Sequence, residues 1–410
     1  MAPRWHKCSA ATRGSLKSMR RLNVALVTET FPPEINGVAM TLGRLAAGQS
    51  ARGHRLRIVR PRQHGERTGL LPSGHLLTRG LPIPRYPELR FGMPCAGNLW
   101  HVWREQRPDV VHIATEGPLG FSALAAARRL NLPVISSFHT NFHSYSRHYG
   151  IGWLQSGIEV YLRWFHNRTA TTLVPTTRLA EQLGQRGLRN AQVLSRGVDT
   201  QLFSPERRSR QLRSQWGVTA DEPVCIVVGR LAPEKNLRLA FNAFNAIQNE
   251  HPRSHMVCVG DGPLAHTLKR AYPDTIFAGT RTGEDLATHY ASADLFLFPS
   301  LTETYGNVVI EALASGLPVI AYDHAAASDL ICDGSNGHLA APGDAQAFVA
   351  AACGMANKLH DKDWSGACFG SVNHLDWERI HNCYEAALQA AIVNCQSAAD
   401  SIVPAPTLGI

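Results

Sequence analysis

Short, unbroken apolar runs recur along this chain, each followed by a polar or glycine-bearing loop and then a stretch of helical character. Leu22–Val27, Val110–Ile113, Pro133–Phe138, Pro223–Val228, Ala293–Phe298 and Leu317–Ala321 are such runs. They are the length of buried strands. Predicted helices over about 38–51, 117–130, 153–167, 177–186 and 237–249 alternate with them. Strand and helix alternating in both halves predict an α/β protein with two mostly parallel sheets, each covered on both faces. The 410 residues suffice for two such domains. Residues 65–90, rich in Gly, Pro and Arg, read as a long connection. The alternation breaks at Arg196-Gly197-Val198-Asp199, which reads as a hinge. The expected division is therefore a basic, disordered tail at 1–18, a first domain over 19–200 and a second over 201–375. A helix from Asp376 and a tail complete the chain to 410.

One unit carries the densest chemistry. Between two apolar runs lie Pro299-Ser300-Leu301-Thr302-Glu303-Thr304-Tyr305-Gly306 and a helix of about three turns opening at Asn307. Its loop leaves the carboxyl end of a strand, where open α/β sheets bind ligands. Free N–H groups at Asn307, Val308 and Val309 would favour an anion, typically phosphate. Glu303 and Glu311, eight positions apart, suit sugar or ribose hydroxyls, because an ionised carboxylate is a strong acceptor. The bland alternative makes one a solvated loop residue and the other a surface helix residue. Arg230 and Lys235 lie five apart on another loop leaving a strand. Two cations there would neutralise a diphosphate, Arg as a planar fork and Lys as a point charge. The bland alternative for Arg230 is a surface salt bridge to Glu234.

These stretches resemble the E-x7-E and Arg-x4-Lys elements of retaining family 4 glycosyltransferases, which have the GT-B fold of two Rossmann-like domains facing a cleft. The resemblance covers about Arg21 to Asp344. It implies that Arg230 and Lys235 hold the donor diphosphate as it leaves, Glu311 the ribose, and Glu303 the sugar, with Asn307 and Val308 nearby. Asn36-Gly37 resembles the family's loop that reaches the diphosphate from the first domain. The family often has two glycines there, which makes Gly37 the firmer contact. Gly279-Thr280-Arg281 follows a strand and is expected to touch the base. His139, just past a strand end, corresponds to a residue near the reacting sugar; Glu116, also at a strand end, is expected to border the acceptor pocket. The last helix is expected to pack back on the first domain.

Composition bears on partners and compartment. Residues 1–205 carry 27 Lys and Arg against 10 Asp and Glu, whereas residues 206–410 carry 14 against 22. A first half this basic suggests an anionic partner, unless it only reflects a GC-rich genome. Anionic lipid is the expectation here and nucleic acid is not. Nine scattered cysteines without a C-x-x-C pair fit reduced thiols in a cytoplasm. No metal is expected: Asp361-Lys362-Asp363 matches a D-x-D string but lies away from any strand end. Cations and a helix start would do a metal's electrostatic work.

The aromatic stretch Trp153–Arg168 is either core or a membrane-interface helix. Arg85–Phe91 adds basic and aromatic groups on the long connection. Within the family, 28–37 and 137–150 look most like the branch that glycosylates lipids: sulfolipid synthase, diacylglycerol glycosyltransferases and phosphatidylinositol mannosyltransferases. The implied reaction moves a hexose from UDP- or GDP-hexose to a lipid hydroxyl such as that of diacylglycerol. The implied place is cytoplasmic, peripheral on the inner membrane face. An epimerase or phosphorylase on the same fold, and a non-catalytic membrane-binding protein, are the rival readings.

Overall fold

A computed structural model describes residues 20–400 apart from 35, 64, 72–73, 84–85, 140–154 and 362. The tail at 1–18, Arg85, Trp153, Lys362 and most of the 137–150 stretch therefore lie outside the described residues.

The first sheet has eight strands in the order β10-β9-β8-β7-β1-β2-β4-β3. Its centre is β1 (Asn23–Val27), flanked by β2 (Arg55–Pro61) and β7 (Val110–Ile113). Outward lie β8 (Val134–Ser137), β9 (Thr171–Val174) and β10 (Ala191–Val193) on one side, and β4 (Leu76–Thr78) and β3 (Gly69–Leu70) on the other. Only β3 runs antiparallel to its neighbour. The second sheet is wholly parallel, in the order β13-β12-β11-β14-β15-β16. Its strands are β11 (Val224–Val228), β12 (His255–Val259), β13 (Ile276–Gly279), β14 (Leu295–Phe298), β15 (Val319–Tyr322) and β16 (Gly337–Ala340). Each sheet has an apolar cluster on both faces, so the central strands are buried twice over and carry no polar alternation.

The stretch 65–90 is not a plain connection. It contains β3, β4 and a hairpin of β5 (Gly80–Ile83) with β6 (Tyr86–Gly92). Gly92 lets the hairpin lie on the helix Pro118–Arg129, since a Cβ there would stand 2.5 Å from Leu119 Cβ. The Gly and Pro that suggested a loop mark strand ends and the hairpin. A helix at Ala96–Glu105, absent from the sequence reading, is held by buried Leu99 and Trp103, one turn apart.

The helix Trp377–Asp400 packs on the first sheet through Ile380, Tyr384, Ala387, Leu388 and Ala391. There the Tyr384 hydroxyl lies 2.7 Å from His112 Nδ1, and His112 Nε2 lies 2.7 Å from Ser137 Oγ. Burial pushes the His112 pKa down to about 3, so the ring is neutral and offers one donor and one acceptor to the two hydroxyls. Tyr384→Phe leaves one buried ring nitrogen unpaired and is expected to cost about 1–2 kcal/mol in urea unfolding. A change below about 0.3 kcal/mol would mean that the bond adds nothing net. The chain passes between the sheets twice, side by side: Val198 N–H donates to the Leu375 carbonyl at 2.9 Å, and Gly197 lies against Trp377. Among the described residues no helix is long and apolar enough to cross a membrane.

Candidate active site

The carboxyl edge of the second sheet brings the nominated residues of that half together. In sheet order, β13 ends at Gly279, β12 runs into Gly260, β11 into Gly229-Arg230, and β14 into Pro299-Ser300. The turns touch: a Cβ on Gly260 would stand 1.9 Å from the Gly229 carbonyl oxygen, so only glycine fits. Asn236, in a left-handed conformation at φ 51°, donates from its amide to the Pro299 carbonyl at 3.3 Å and ties the β11 loop to the β14 loop. Thr280 is exposed at the edge strand's end.

Lys235 ends a short 3-10 turn, Pro233–Lys235, and its Nζ donates to Glu303 Oε1. Ser300 Oγ donates to the same oxygen at 3.0 Å. Glu303 is thus held by a cation and a hydroxyl, and its side chain is 16% exposed. His324, just past β15, approaches the Glu303 carbonyl at 3.1 Å. Arg230 is different. It is exposed, with Nη1 3.7 Å from Glu234 Oε1, the surface pair that the bland reading anticipates. Such a pair is weak and leaves the guanidinium available.

The helix Asn307–Ala314 spans eight residues, about two turns and not three. Gly306 opens it at φ 88°, a left-handed position that glycine takes without strain. Val309 N–H is engaged, donating to the Gly306 carbonyl at 3.0 Å. That leaves Asn307 and Val308 N–H without an acceptor among the described residues, so the expected trio is a pair. Glu311, partly buried one turn in, accepts from the Tyr290 hydroxyl at 3.1 Å. Burial raises its pKa to about 7.

Across the cleft, Gly37 faces this helix start; a Cβ on it would stand 4.0 Å from Asn307 Nδ2. Asn36 is occupied as the N-cap of Gly37–Ala51. Its side-chain oxygen accepts from Val38 N–H at 3.1 Å and Ala39 N–H at 2.9 Å, and its amide donates to Thr30 Oγ1 at 2.7 Å. Its carbonyl accepts from Met40 N–H at 3.0 Å, so among the described residues its main-chain N–H and its second amide hydrogen are left for a ligand.

His139 does not join this group. Among the described residues both ring nitrogens are buried without partners, lining a cavity of about 20 Å³ inside the first half with Thr41, Ser137, Ser195, Arg196 and Ile380. Burial and the Arg196 charge push its pKa well below the usual range. Glu116 is buried against His166, 3.1 Å away. Asp363 caps the helix Trp364–Val372 through Gly366 N–H at 3.1 Å, a structural use of the D-x-D string.

The family models matched are the family 4 glycosyltransferase model over residues 35–202 and the group 1 glycosyl transferase model over residues 222–358. A GDP-mannose-dependent alpha-mannosyltransferase of Corynebacterium glutamicum is 33% identical over 376 residues, 89% of this chain and 88% of that protein. This chain belongs to the group 1, family 4 glycosyltransferases. An alpha-monoglucosyldiacylglycerol synthase of Streptococcus pneumoniae is 26% identical, covering 76% of this chain and 74% of its own length. Among solved structures, Anabaena HepE in complex with UDP superposes with a TM-score of 0.72 at 19% identity, covering 90% of this chain and 100% of that one. It places the glycosyltransferase in the GT-B fold.

The sequence reading missed several residues of this glycosyltransferase site. Tyr290 and Ser300 set Glu311 and Glu303, and Arg196 and Tyr305 sit between the halves. Ser300 and Tyr305 lie inside the quoted loop; Tyr290 and Arg196 had no signal beyond residue type. As arranged, the edge offers two cations, two free N–H groups and two carboxylates, a set able to hold an anion and several hydroxyls at once.

Proposed function

We propose that this glycosyltransferase moves a hexose, with retention, from a nucleoside-diphosphate sugar to a hydroxyl of a membrane lipid. The observation that carries the reading is the Lys235–Glu303 pair beside the Asn307 helix start, with Gly37 facing it. Arg230 and Lys235 take the diphosphate, Glu311 the ribose, Glu303 the sugar, and the main chain at Gly37, Asn36, Asn307 and Val308 closes on the phosphates. Gly279 and Thr280 border the base. His139 takes no part in this reading, because its ring is buried inside the first half. The acceptor oxygen attacks the face that the diphosphate leaves, and a departing phosphate oxygen takes its proton. No metal is needed, because fixed cations and N–H groups meet the developing charge.

The lipid acceptor is supported by the diacylglycerol-glucosylating relative and by the first half's surface. The helix Gln155–His166 buries Leu162 and Phe165 but turns Val160 and Trp164 outward. Trp164 stacks on exposed Phe121 at 5.8 Å, and the Arg168 guanidinium sits 4.2 Å over the Trp164 ring. Aromatic rings with arginines suit an anionic membrane interface, peripheral and on the cytoplasmic face.

A thermal-shift panel of UDP, GDP, ADP and their sugar conjugates tests the donor. A nucleotide at a hundred times its Kd should add about 2.7 kcal/mol. Turnover is then followed with diacylglycerol in phosphatidylglycerol vesicles. Nucleoside diphosphate should be released only when the lipid is present; release without it, or no shift with any nucleotide, overturns the reading.

A further inference from the structure

Arg196 is buried in the first of the two chain crossings, yet among the described residues no carboxylate pairs with it. Its Nη1 donates to the Gly37 carbonyl at 3.0 Å and to Thr41 Oγ1. The guanidinium carbon lies 5.6 Å from the centre of the Tyr305 ring. Tyr305 is itself buried. Its hydroxyl is 3.0 Å from Ser195 Oγ, and its carbonyl accepts from Ala326 N–H at 2.9 Å. One cation therefore grips the first turn of the helix that opens at Gly37 and rests on the residue just before Gly306, which opens the opposing helix.

We propose that Arg196 is a positioning residue that clasps the helix start at Gly37 to Tyr305, setting the gap in which the nucleoside diphosphate is held. This rests on the donor site described above. Gly37 and Asn307 belong to opposite halves, so their separation depends on what joins the halves. The two crossings at Val198 and Leu375–Trp377 only tether the halves, whereas Arg196 reaches both walls of the gap. A guanidinium suits the task, since its planar fork can donate to two acceptors while its face lies on a ring. Its charge, unanswered by any carboxylate, also favours an anion arriving at Gly37.

The test measures Kd for GDP and UDP, donor KM, kcat and melting temperature in Arg196→Ala, Arg196→Lys, Tyr305→Leu and the Arg196→Ala/Tyr305→Leu pair. Arg196→Ala is expected to raise the nucleotide Kd and donor KM five- to tenfold with acceptor KM unchanged. Arg196→Lys, which keeps the charge and one donor, should recover to within about threefold. Tyr305→Leu should match Arg196→Ala, and the double variant should be no worse than either single, because they break one clasp. A purely structural role would lower the melting temperature and active fraction while leaving Kd and KM in place. If Arg196→Ala does not fold, Arg196→Lys and Tyr305→Leu still decide by their Kd. Unchanged Kd in the folded variants, or multiplying effects in the double variant, overturns the clasp. Failure of wild type to bind either nucleotide overturns the donor site instead.

Discussion

Lys235→Ala is expected to lower kcat by about 10²–10³-fold, the cost of removing one preorganised charge from a transition state. In the unliganded protein the Lys235 cation is balanced by Glu303. In the proposed complex, charge gathers on the departing diphosphate as the donor's bond to the sugar breaks, and a fixed ammonium beside it would stabilise the products' side of the barrier most. The fold should feel the change far less. Ser300 still donates to Glu303, the pair is 25% and 16% exposed, and such pairs contribute about 1 kcal/mol or less. Lys235→Arg should restore only part of the rate, because a planar fork does not stand where a point charge did. The measurement is nucleotide release under saturating donor, beside the melting temperature. A Lys235→Ala enzyme within about tenfold of wild type would remove Lys235 from the chemistry.

Glu311→Gln should weaken nucleotide binding about 10- to 150-fold at pH 8, the range for losing hydrogen bonds to a charged acceptor. The pH dependence is the sharper signature. Burial holds the free carboxyl at a pKa of about 7, so near neutrality much of it is protonated. Ribose hydroxyls donate best to the ionised form, so wild-type affinity should rise from pH 6 to pH 8, with a proton released on binding. In Glu311→Gln that slope should vanish. Calorimetry in buffers of different ionisation heat reads both quantities. An equal slope in the variant would assign the proton elsewhere. Stability of the unliganded protein runs the other way. With the folded pKa raised above the unfolded value of 4.5, the folded state binds the proton more tightly. Stability therefore falls as pH climbs from about 4.5 to 7, by up to about 3 kcal/mol. Glu311→Gln should accordingly melt higher than wild type at pH 8 and alike at pH 4. Glu29 is raised to about 7 by the same cause, so the comparison needs the single variant and not the wild-type curve alone.

The architecture was readable because buried parallel strands announce themselves as short apolar runs, and β1, β7, β11 and β14 all do. The loop and helix around Glu303 and Glu311 were readable for a related reason: they sit between two such runs. Where the signal is local but mixed, reading failed. The β5–β6 hairpin hid among glycines and prolines, and Ala96–Glu105 fully buries only Leu99 and Trp103 among mixed polar and apolar neighbours. Long-range partners left no trace at all. His112 and Tyr384 are 272 positions apart, and Arg196 meets Gly37 across 159. Neither an arginine in a hinge nor a tyrosine in a terminal helix reveals what it will touch. His139 shows the converse: its place past a strand end was legible, but the direction of its ring, into the interior of the first half, was not.

The helix Trp377–Asp400 has a consequence for how the molecule is made. It supplies Ile380, Tyr384 and Leu388 to the face of a sheet whose own strands end at Val193. On the ribosome the part of that face which Leu42, Leu45 and Ala46 do not cover must wait while the whole second sheet is synthesised, about 10–40 seconds at ordinary elongation rates. During that interval His112 lacks its Tyr384 hydroxyl and an apolar surface stands open to solvent and to other nascent chains. The first half therefore cannot finish folding before the second, and the order of completion reverses the order of translation.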